Sequence, residues 1–388
     1  MTDEATVVAV YRDKAQLCVG EDPSADIIIL NKSAYRALLG GERAIGEAYQ
    51  RRYWVESSNL GLWEIHLKRM KGGLGGRPKI LGPDAQSIER AAGNIAVPYN
   101  IGEEGYRAKF DGDPYLQYSC GYYAWGATDD PTAQCHKLQL TGDRLDLRVG
   151  MHVLDIGGGN GGLAIFLAET YGVYVDMLTL SPDQAAIARE MIRERGLERL
   201  VRVFVRHYLR HCGTYDRIVS VGALEHFGRS HYRAFFEKCN EMLAPGGSMV
   251  IHFIWGRVPL DRHAGATSAT HEWIDVYFFP GGDIATRSLV ADAAEGLFIV
   301  LDVHDFGLPR AAMHPYARTN LAWDTNNQRN RQKIEGLSMP DGRIYDEGYF
   351  LIDHYASYLF AAQFQSRGIT VGQLHFAREM PANYQPVR

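Results

Sequence analysis

The chain has 388 residues, of which 46% are apolar, and its 41 basic and 46 acidic residues give a net charge of −5. This composition is typical of a globular protein of one large domain or, as we expect, two, and without a basic tract it excludes a general nucleic-acid binder. The five cysteines are scattered without a C-x-x-C pair, which argues against a disulfide framework and against a thiolate metal site. No secretory signal is recognisable and no apolar run reaches about 18 residues, so we expect a cytoplasmic protein.

The first 85 residues predict a small N-terminal accessory domain. An apolar run at residues 25–30 precedes a helical pattern that includes Tyr35 and Leu38, and a second helical pattern follows around Leu60 and Leu67. Residues 71–83 (KGGLGGRPKILGP) are rich in glycine and proline, which is typical of a flexible linker. A phosphate-binding loop would need a strand before it and a helix after it.

Residues 86–388 predict an α/β domain. From Val149 onward, strands (VLDI, VYVDMLTL, VRVFV, YDRIVSV and SMVIHFIW) alternate with helical patterns, one of which begins at Pro182 with Ser181 as its cap. This alternation predicts a parallel sheet with helices on both faces. Residues 256–350 are predicted to form an irregular cap insertion, and a long helix and a closing strand (VGQLHFAR) follow it.

A glycine turn (DIGGGNGG, residues 155–162) lies where the first of these strands ends and a helix begins. Glycines let the backbone approach a ligand closely, but the pattern alone also occurs in dinucleotide-binding proteins and in turns that bind nothing. Asp155 stands two residues before the first glycine, where it can hold a cationic amino-acid head group. The second strand ends in Thr-Leu-Ser instead of the acid that would bind the ribose of a nicotinamide dinucleotide. This disfavours a dinucleotide and favours a ligand with a cationic amino-acid head group.

Seven segments spread over the chain carry a more specific signal. They are ADIIILNKSAYRALLGGERAIGEAYQRRYW, YLQYSCGYY, VLDIGGGNGGLAIFLAETYGVYV, TLSPDQAAIA, YDRIVSVGALEHFG, LAPGGSMVIHFI and YASYLFAAQFQSRGITVGQLHFAR. In this order they resemble the cyclopropane fatty-acid synthase family, which includes the mycolic-acid cyclopropane synthases. The resemblance implies a methyltransferase dependent on S-adenosylmethionine (SAM), with a class I, Rossmann-like α/β fold. It also implies a smaller N-terminal domain (1–85) and a methyltransferase domain (86–388) with a cap inserted at about 256–350.

The resemblance implies roles for particular residues. The methionine end of SAM would contact Tyr118, Ser119, Asp155, Gly157 and Gly159. The ribose side would contact Thr179, Ser181 and Gln184, and His207 would lie near the adenine. Cys120, Glu225, His252 and the backbone of Ile254 match the pocket that holds bicarbonate in those synthases. Because methylation of an alkene by a sulfonium leaves a carbocation, a base must then remove a proton, and Glu225 and His252 are candidates to hold or move it.

Several positions depart from the family pattern. Gly158 stands where Cys is usual, Asn160 where Trp is usual, His207 where Asp is usual and Pro98 where His is usual. Asp324 and Phe360 replace a Tyr and a Cys that line the anion pocket in the family. A carboxylate facing bicarbonate would repel it, so Asp324 is a candidate for the base itself, with drift of a loop as the alternative.

The substrate stays open between two classes. One is an unsaturated acyl chain that receives a methyl or methylene group at a carbon–carbon double bond, and the other is a small biosynthetic intermediate methylated at carbon or nitrogen. A SAM-binding protein that has lost catalysis is a third interpretation, and a homo-oligomer also stays open.

Two polar clusters bear on this choice. Lys68, Arg69 and Lys71, beside Leu67 and Met70, predict either a peripheral membrane contact or an ordinary solvated helix face. The polar stretch TNNQRNRQ, with three histidines nearby, favours a cap that closes over a substrate less apolar than an acyl chain. The histidines are His263, His271 and His314. These histidines lack the spacing of metal ligands.

Overall fold

The computed structural model describes residues 4–58, 60–72, 74, 87–99, 101–256, 277–280, 282–308, 313–381 and 384–387. Most of the predicted linker at 71–83 lies outside these residues, as do His263, His271 and the side chain of Pro98.

The described residues form helices and strands that alternate over much of the chain. The helices, in chain order, are α1 (Glu4–Ala15), α2 (Ser33–Leu38), α3 (Glu42–Gln50), α4 (Leu62–Lys71), α5 (Ile88–Tyr99), α6 (Gly102–Lys109), α7 (Asp130–Arg144), α8 (Gly162–Tyr171), α9 (Pro182–Glu194), α10 (Tyr232–Met242), α11 (Arg287–Ala294), α12 (Pro315–Ile334) and α13 (Glu347–Gln365). The strands are β1 (Val19–Gly20), β2 (Ile27–Ile29), β3 (Trp54–Glu56), β4 (His152–Ile156), β5 (Tyr174–Thr179), β6 (Val201–Val205), β7 (Tyr215–Val221), β8 (Leu243–Gly256), β9 (Ile299–Asp305) and β10 (Ile369–Ala377). Of the helices in the described ranges, none combines the length and hydropathy needed to cross a bilayer.

The larger of two sheets has seven strands in the order β6-β5-β4-β7-β8-β10-β9. Strands β4 to β8 pair in parallel, and β9 pairs antiparallel with β10. The inner strands β4 and β5 carry apolar runs that are buried on both faces, as in sheets covered by helices on both sides. The predicted α/β fold is confirmed.

The strand order reverses beside β4. From β4 the chain runs outward through β5 to β6 and then returns to place β7 on the other side of β4. In open α/β sheets, ligands bind in the crevice at the carboxyl ends of the strands at this switch point. Since the glycine turn directly follows β4, the fold places it there.

The start of α9 follows the sequence prediction. Pro182 occupies the first turn, and the Ser181 Oγ accepts a hydrogen bond from the backbone N–H of Gln184 at 3.2 Å. This cap satisfies one of the backbone donors that a helix leaves unpaired at its N-terminus, so α9 begins at a fixed residue beside the pocket.

The chain divides into two compact units, each built from three stretches. The first unit comprises Met1–Ile80, Gly256–Pro280 and Ala311–Ile369, and the second comprises Leu81–Trp255, Gly281–Arg310 and Thr370–Arg388. The sequence pattern instead predicts a boundary between residues 85 and 86 and one cap at about 256–350. The difference arises because this segment supplies both units, and its middle part belongs to the large sheet.

Two elements inside the predicted irregular cap are regular in the structure. Strand β9 forms the edge of the large sheet beside β10. Helix α12 runs for 20 residues, and its buried positions include Asn320, Asp324, Asn327 and Asn330. These residues recur at helical spacing, but they are polar, so hydrophobic periodicity does not reveal the helix.

The first unit also holds the small sheet, in which β1 and β2 pair in parallel and β2 and β3 antiparallel. Arg69 on α4 lies in the core of this unit, with 2% of its surface exposed. It donates to the Glu42 carboxylate on α3, with 2.9 Å between Nη2 and Oε2. The prediction that Arg69 belongs to a solvated or membrane-contacting face is wrong, because a buried carboxylate neutralises it.

Candidate active site

A pocket of the second unit opens at the carboxyl ends of β4, β5 and β7. Its lining consists of residues 116–119, 155–160, 178–180, 206–209 and 221–223, together with Ala91, Ile95, Tyr99, Leu163, Gln184, His226, Phe227 and His231. Most of the predicted cofactor residues are in this set, which brings together Tyr118, Ser119, Asp155, Gly157, Gly159, Thr179, Gln184 and His207. The glycine turn, the strand ends and the 116–119 segment therefore share one cavity.

At its first two glycines the glycine turn has no room for a side chain. Gly157 has φ = +84°, and a Cβ there would lie 2.5 Å from the Cβ of Ala223. At Gly158 a Cβ would lie 2.4 Å from the Met177 Cγ and 2.6 Å from an Asp155 carboxylate oxygen. Met177 and Asp155 thus occupy the space that the side chain of the family's usual cysteine would need at position 158.

Asp155 carries a buried carboxylate. Its surface is 1% exposed, and neither carboxylate oxygen has a hydrogen-bond partner among the described residues. Burial raises the pKa of Asp155 from 3.8 to about 7. A cationic ligand would supply the missing partner, which fits the ammonium group at the methionine end of SAM.

Thr179, Ser181 and Gln184 form one hydrogen-bonded group at the end of β5. The Thr179 Oγ1 accepts from the Ser181 N–H at 3.2 Å and donates to the Gln184 Oε1 at 3.3 Å. The Gln184 Nε2 donates to the hydroxyl of Tyr106 at 3.3 Å. Thr179 and Gln184 line the pocket, whereas the Ser181 hydroxyl is engaged in the cap of α9.

Tyr118 stands in a cluster of aromatic rings. Its ring centre lies 5.6 Å from that of Tyr99 and 5.1 Å from that of Phe110, and the Lys109 Nζ lies 5.5 Å from it. The Tyr99 hydroxyl and the His226 Nε2 are 2.9 Å apart. This cluster gives the pocket an aromatic wall, which can stabilise a cation.

His207 lies at the end of the pocket predicted to hold the adenine. Its ring stacks on Tyr208 with 4.5 Å between centroids, and its Nδ1 accepts the Leu209 N–H at 3.2 Å. Since Nδ1 accepts, the proton of the neutral ring is on Nε2. The family's aspartate offers only acceptors at this position, so the replacement reverses the hydrogen-bonding character.

Glu225 lies in a single 3-10 turn, Leu224–His226, after β7. Its Oε1 accepts the backbone N–H of Ile254 at 2.7 Å, while the buried Oε2 has no partner among the described residues. Burial raises the pKa of Glu225 to about 7. The turn is held by Asp283, whose N–H donates to the Glu225 backbone carbonyl at 2.9 Å and whose carboxylate accepts from Arg229 at 2.6 Å.

His252 and Cys120 are also buried in the second unit. Neither ring nitrogen of His252 has a partner within the described ranges, and its ring lies 5.0 Å from that of Phe306. Burial, reinforced by Lys137 and His304, lowers the pKa of His252 to about 3, so the ring is neutral. The Cys120 Sγ donates to the Gly121 carbonyl at 3.3 Å.

Asp324 belongs to the first unit, on α12. Its Oδ1 accepts from the Nδ1 of His354 at 2.9 Å, and Glu56 lies 3.9 Å from the other ring nitrogen. Burial lowers the pKa of His354, but the two carboxylates outweigh it and raise the pKa to about 9. Phe360, the other altered position of the family's anion pocket, packs in the same unit against Phe278 at 5.4 Å.

The sequence patterns predict no role for Tyr99, His226 or Lys137. The two pocket residues had a weak signal, since His226 directly follows Glu225 and Tyr99 follows the altered position 98. Lys137 had none, because two of its three partners are 18 and 20 residues away in the chain.

The switch-point pocket, the glycine turn with its buried acid and the Thr-Leu-Ser strand end define a class I SAM-dependent methyltransferase. A family model described as mycolic acid cyclopropane synthetase matches residues 86–374, and the chain belongs to this family. The resemblance recognised in the sequence is confirmed.

Relatives and solved structures agree with this assignment. The chain is 32% identical over 323 residues to the cyclopropane-fatty-acyl-phospholipid synthase of Escherichia coli (strain K12), covering 80% of this chain and 78% of that protein. It is 33% identical over 264 residues to cyclopropane mycolic acid synthase 3 of Mycobacterium tuberculosis, covering 66% and 88%. The structure of the cyclopropane synthase MmaA2 from Mycobacterium tuberculosis superposes with a TM-score of 0.64 at 26% identity, covering 74% of this chain and 97% of that one. A mycolic acid cyclopropane synthase complexed with SAH and CTAB gives a TM-score of 0.63 at 29% identity, with the same coverage.

Proposed function

We propose that this methyltransferase transfers a methylene group from SAM to a carbon–carbon double bond of an unsaturated acyl chain. The proposal is supported by the names of its relatives, which act on fatty-acyl phospholipids and mycolic acids, and by the aromatic wall of the pocket. SAM, when bound, supplies an electrophilic methyl group.

The residues of the chain have distinct tasks in this proposal. The carboxylate of Asp155 pairs with the cationic amino-acid end of the cofactor, and the backbone at Gly157 and Gly159 allows its close approach. In this transfer the alkene electrons would form the new carbon–carbon bond as the methyl–sulfur bond of the cofactor breaks and S-adenosylhomocysteine is released. The acyl chain would then carry a positive charge beside the new methyl group. The rings of Tyr99 and Tyr118 stabilise that charge.

Ring closure requires a base, because the new methyl group must lose a proton while its C–H electron pair closes the three-membered ring. Glu225 is the base in this proposal. Its Oε2 is buried without a partner among the described residues, and its pKa is about 7. A carboxyl poised near neutral pH can accept a proton and release it again. His252, whose pKa burial lowers to about 3, is the weaker base of the two.

Two other bases are alternatives. Bicarbonate held by Cys120, His252 and the Ile254 backbone is the base that the family resemblance implies. Asp324 would replace it, but its Oδ1 already accepts from His354. Since this oxygen of Asp324 is already engaged, whereas the Glu225 Oε2 has no partner among the described residues, we favour Glu225, with or without bicarbonate, over Asp324.

An acyl chain of a phospholipid is reached at a bilayer surface, so the proposal includes peripheral membrane contact on the cytoplasmic side. Vesicle sedimentation tests this contact: the protein should pellet with unsaturated phospholipid vesicles in the presence of S-adenosylhomocysteine (SAH). The oligomeric state stays a separate prediction.

The function is tested with SAM that carries a trideuterated methyl group and vesicles of unsaturated phospholipid. A cyclopropane product gains CD2, because one deuteron is removed during ring closure, whereas a methyl-branched product can retain CD3. Glu225→Gln is the matched control, since it keeps the shape of the side chain and removes the base.

Each outcome has a definite meaning. Gain of CD2 that Glu225→Gln abolishes supports the proposal. No labelled lipid, with SAH binding intact, would overturn it and leave methylation of a small molecule, or SAM binding without catalysis, as the function.

A further inference from the structure

A buried lysine lies directly behind the 116–119 segment of the cofactor pocket. Lys137, on α7, is fully buried, and its Nζ lies 2.7 Å from the Gln117 Oε1, 2.7 Å from the Ser119 Oγ and 2.9 Å from the Gln134 Oε1. An ammonium group has three N–H donors and no lone pair. The three oxygens therefore use all three donors.

This arrangement fixes the orientation of the two amides. Because the Gln117 Oε1 faces Lys137, its Nε2 donates to the Tyr115 carbonyl at 3.2 Å. The Gln134 Nε2 likewise donates to the Ser119 carbonyl at 2.8 Å. The backbone and the side chain of Ser119 are thus both held from the α7 side.

It also fixes the direction of the Ser119 hydroxyl. The Oγ accepts from Lys137, which cannot accept in return, so the hydroxyl proton must be donated elsewhere. No acceptor for it lies within hydrogen-bond distance among the described residues, and Ser119 lines the cofactor pocket. The hydroxyl proton is therefore available to an acceptor in the pocket.

The charge of Lys137 is buried without a carboxylate of the described residues in direct contact. Its three direct partners are neutral, and the nearest acidic groups, Asp113 and Asp130, act on it only through space. Burying an ammonium without a carboxylate in contact is unfavourable. An anionic ligand group beside Ser119 would offset this penalty, and the methionine end of SAM carries a carboxylate.

We propose that Lys137 is a positioning residue for the cofactor, which aims the Ser119 hydroxyl at the carboxylate of the SAM methionine. The inference rests on the placement of the methionine end against Ser119, and it is independent of the methyl acceptor. Asp155 then binds the ammonium and the Lys137–Ser119 pair binds the carboxylate, so the two charges of the amino-acid group are recognised separately.

The test compares the affinity for SAM with that for decarboxylated SAM, which keeps the adenosine, the sulfonium and the ammonium. The wild-type protein should bind SAM more tightly by about 10-fold, because a charge-assisted hydrogen bond is lost with the carboxylate. Lys137→Met, similar in volume but uncharged, should weaken SAM binding by about 10-fold and leave the affinity for decarboxylated SAM within about 2-fold. Calorimetric titration measures both.

Ser119→Ala keeps the proposal testable should Lys137→Met not fold, since it must produce the same selective loss. In the double variant, Lys137→Met should then add little to the loss of affinity caused by Ser119→Ala, because both changes remove the same hydrogen bond from the Ser119 hydroxyl to the carboxylate of SAM. Equal losses for the two ligands, additive losses in the double variant, or a wild-type protein that binds both ligands equally would overturn the proposal. Wild-type protein that binds neither would overturn the cofactor placement with it, a result separate from any failure to modify lipid.

Discussion

Removing the buried charge of Asp155 should stabilise the ligand-free protein and weaken cofactor binding. In the folded state the carboxyl is buried without a partner among the described residues, and its pKa is about 7 against an ordinary value of 3.8. Unfolding therefore releases a proton between these pH values, so the free energy of unfolding falls as the pH rises from about 4 to 7.

The size of the effect follows from the two pKa values. A difference of one in pKa corresponds to about 1.4 kcal/mol, so the titration of Asp155 costs the folded state about 4 kcal/mol above pH 7. At pH 5, where the carboxyl is still protonated in the folded state and ionised in the unfolded state, the cost is about 2 kcal/mol. Asp155→Asn removes this titration. The difference in unfolding free energy between variant and wild type should thus increase by about 2–3 kcal/mol from pH 5 to pH 8, whatever the constant effect of the substitution.

Urea unfolding of the ligand-free proteins at pH 5 and pH 8 measures this difference, and calorimetry with SAH measures the affinity. We expect Asp155→Asn to bind SAH at least about 10-fold more weakly, because the ammonium loses its counter-charge. The matched control is Asp176→Asn on neighbouring β5. Asp176 accepts from Arg202 at 2.6 Å and from Tyr215 at 2.8 Å, so its substitution should destabilise the protein and leave the affinity for SAH unchanged.

A stability difference that does not change with pH would refute the reasoning, because it would mean that Asp155 titrates alike in the folded and unfolded states. Unchanged affinity for SAH would separately remove Asp155 from the cofactor site.

Three further predictions concern other parts of the molecule. Glu225→Gln should leave SAH affinity within about 3-fold and reduce turnover by about 100-fold or more, and turnover within a few-fold of wild type would exclude it as the base. Protonated His354, whose pKa is raised to about 9, stabilises the first unit by about 2 kcal/mol after allowance for partial exposure. This contribution is fully present below pH 6.5 and is lost as the pH rises through about 9. Asp324→Asn should reduce that pH dependence in urea unfolding, and an unchanged slope would contradict the ion pair. Gly157→Ala combines φ = +84° with a 2.5 Å approach to Ala223, so it should lower the stability by about 2 kcal/mol or more and abolish SAH binding; a thermal midpoint like that of wild type would show that the turn can relax.

The large sheet could be predicted from the sequence because its signals are local. The apolar, β-branched runs of β4 to β8 and the Ser181 cap each depend on a few consecutive residues. Helix α12 could not be predicted in this way, since five of the eight residues that it buries are threonine, asparagine or aspartate. A hydrophobic pattern reports only apolar burial.

The same limit applies to the site. Asp155 and Glu225 could be singled out by residue type and position, but their lack of partners depends on what the fold packs around them. Arg69 shows the converse: its place in a basic cluster with Lys68 and Lys71 predicts a solvated or membrane-contacting face, because arginine is rarely buried unless paired. Its partner Glu42 lies 27 residues earlier in the chain, so no local pattern reveals the pair.

The discontinuous units constrain how the protein forms on the ribosome. The last stretch of the first unit ends at residue 369, and β10, which lies between β8 and β9, is supplied by residues 369–377. Domains generally fold during synthesis in the order in which they emerge, at about 5–20 residues per second. Here neither unit is complete until residues beyond 369 have been translated. The pocket residues, which all lie between 91 and 231, are therefore synthesised long before the sheet that carries them receives β10. A nascent chain stalled before residue 369 should therefore remain sensitive to protease in both units, and expression of either unit as a simple fragment should fail.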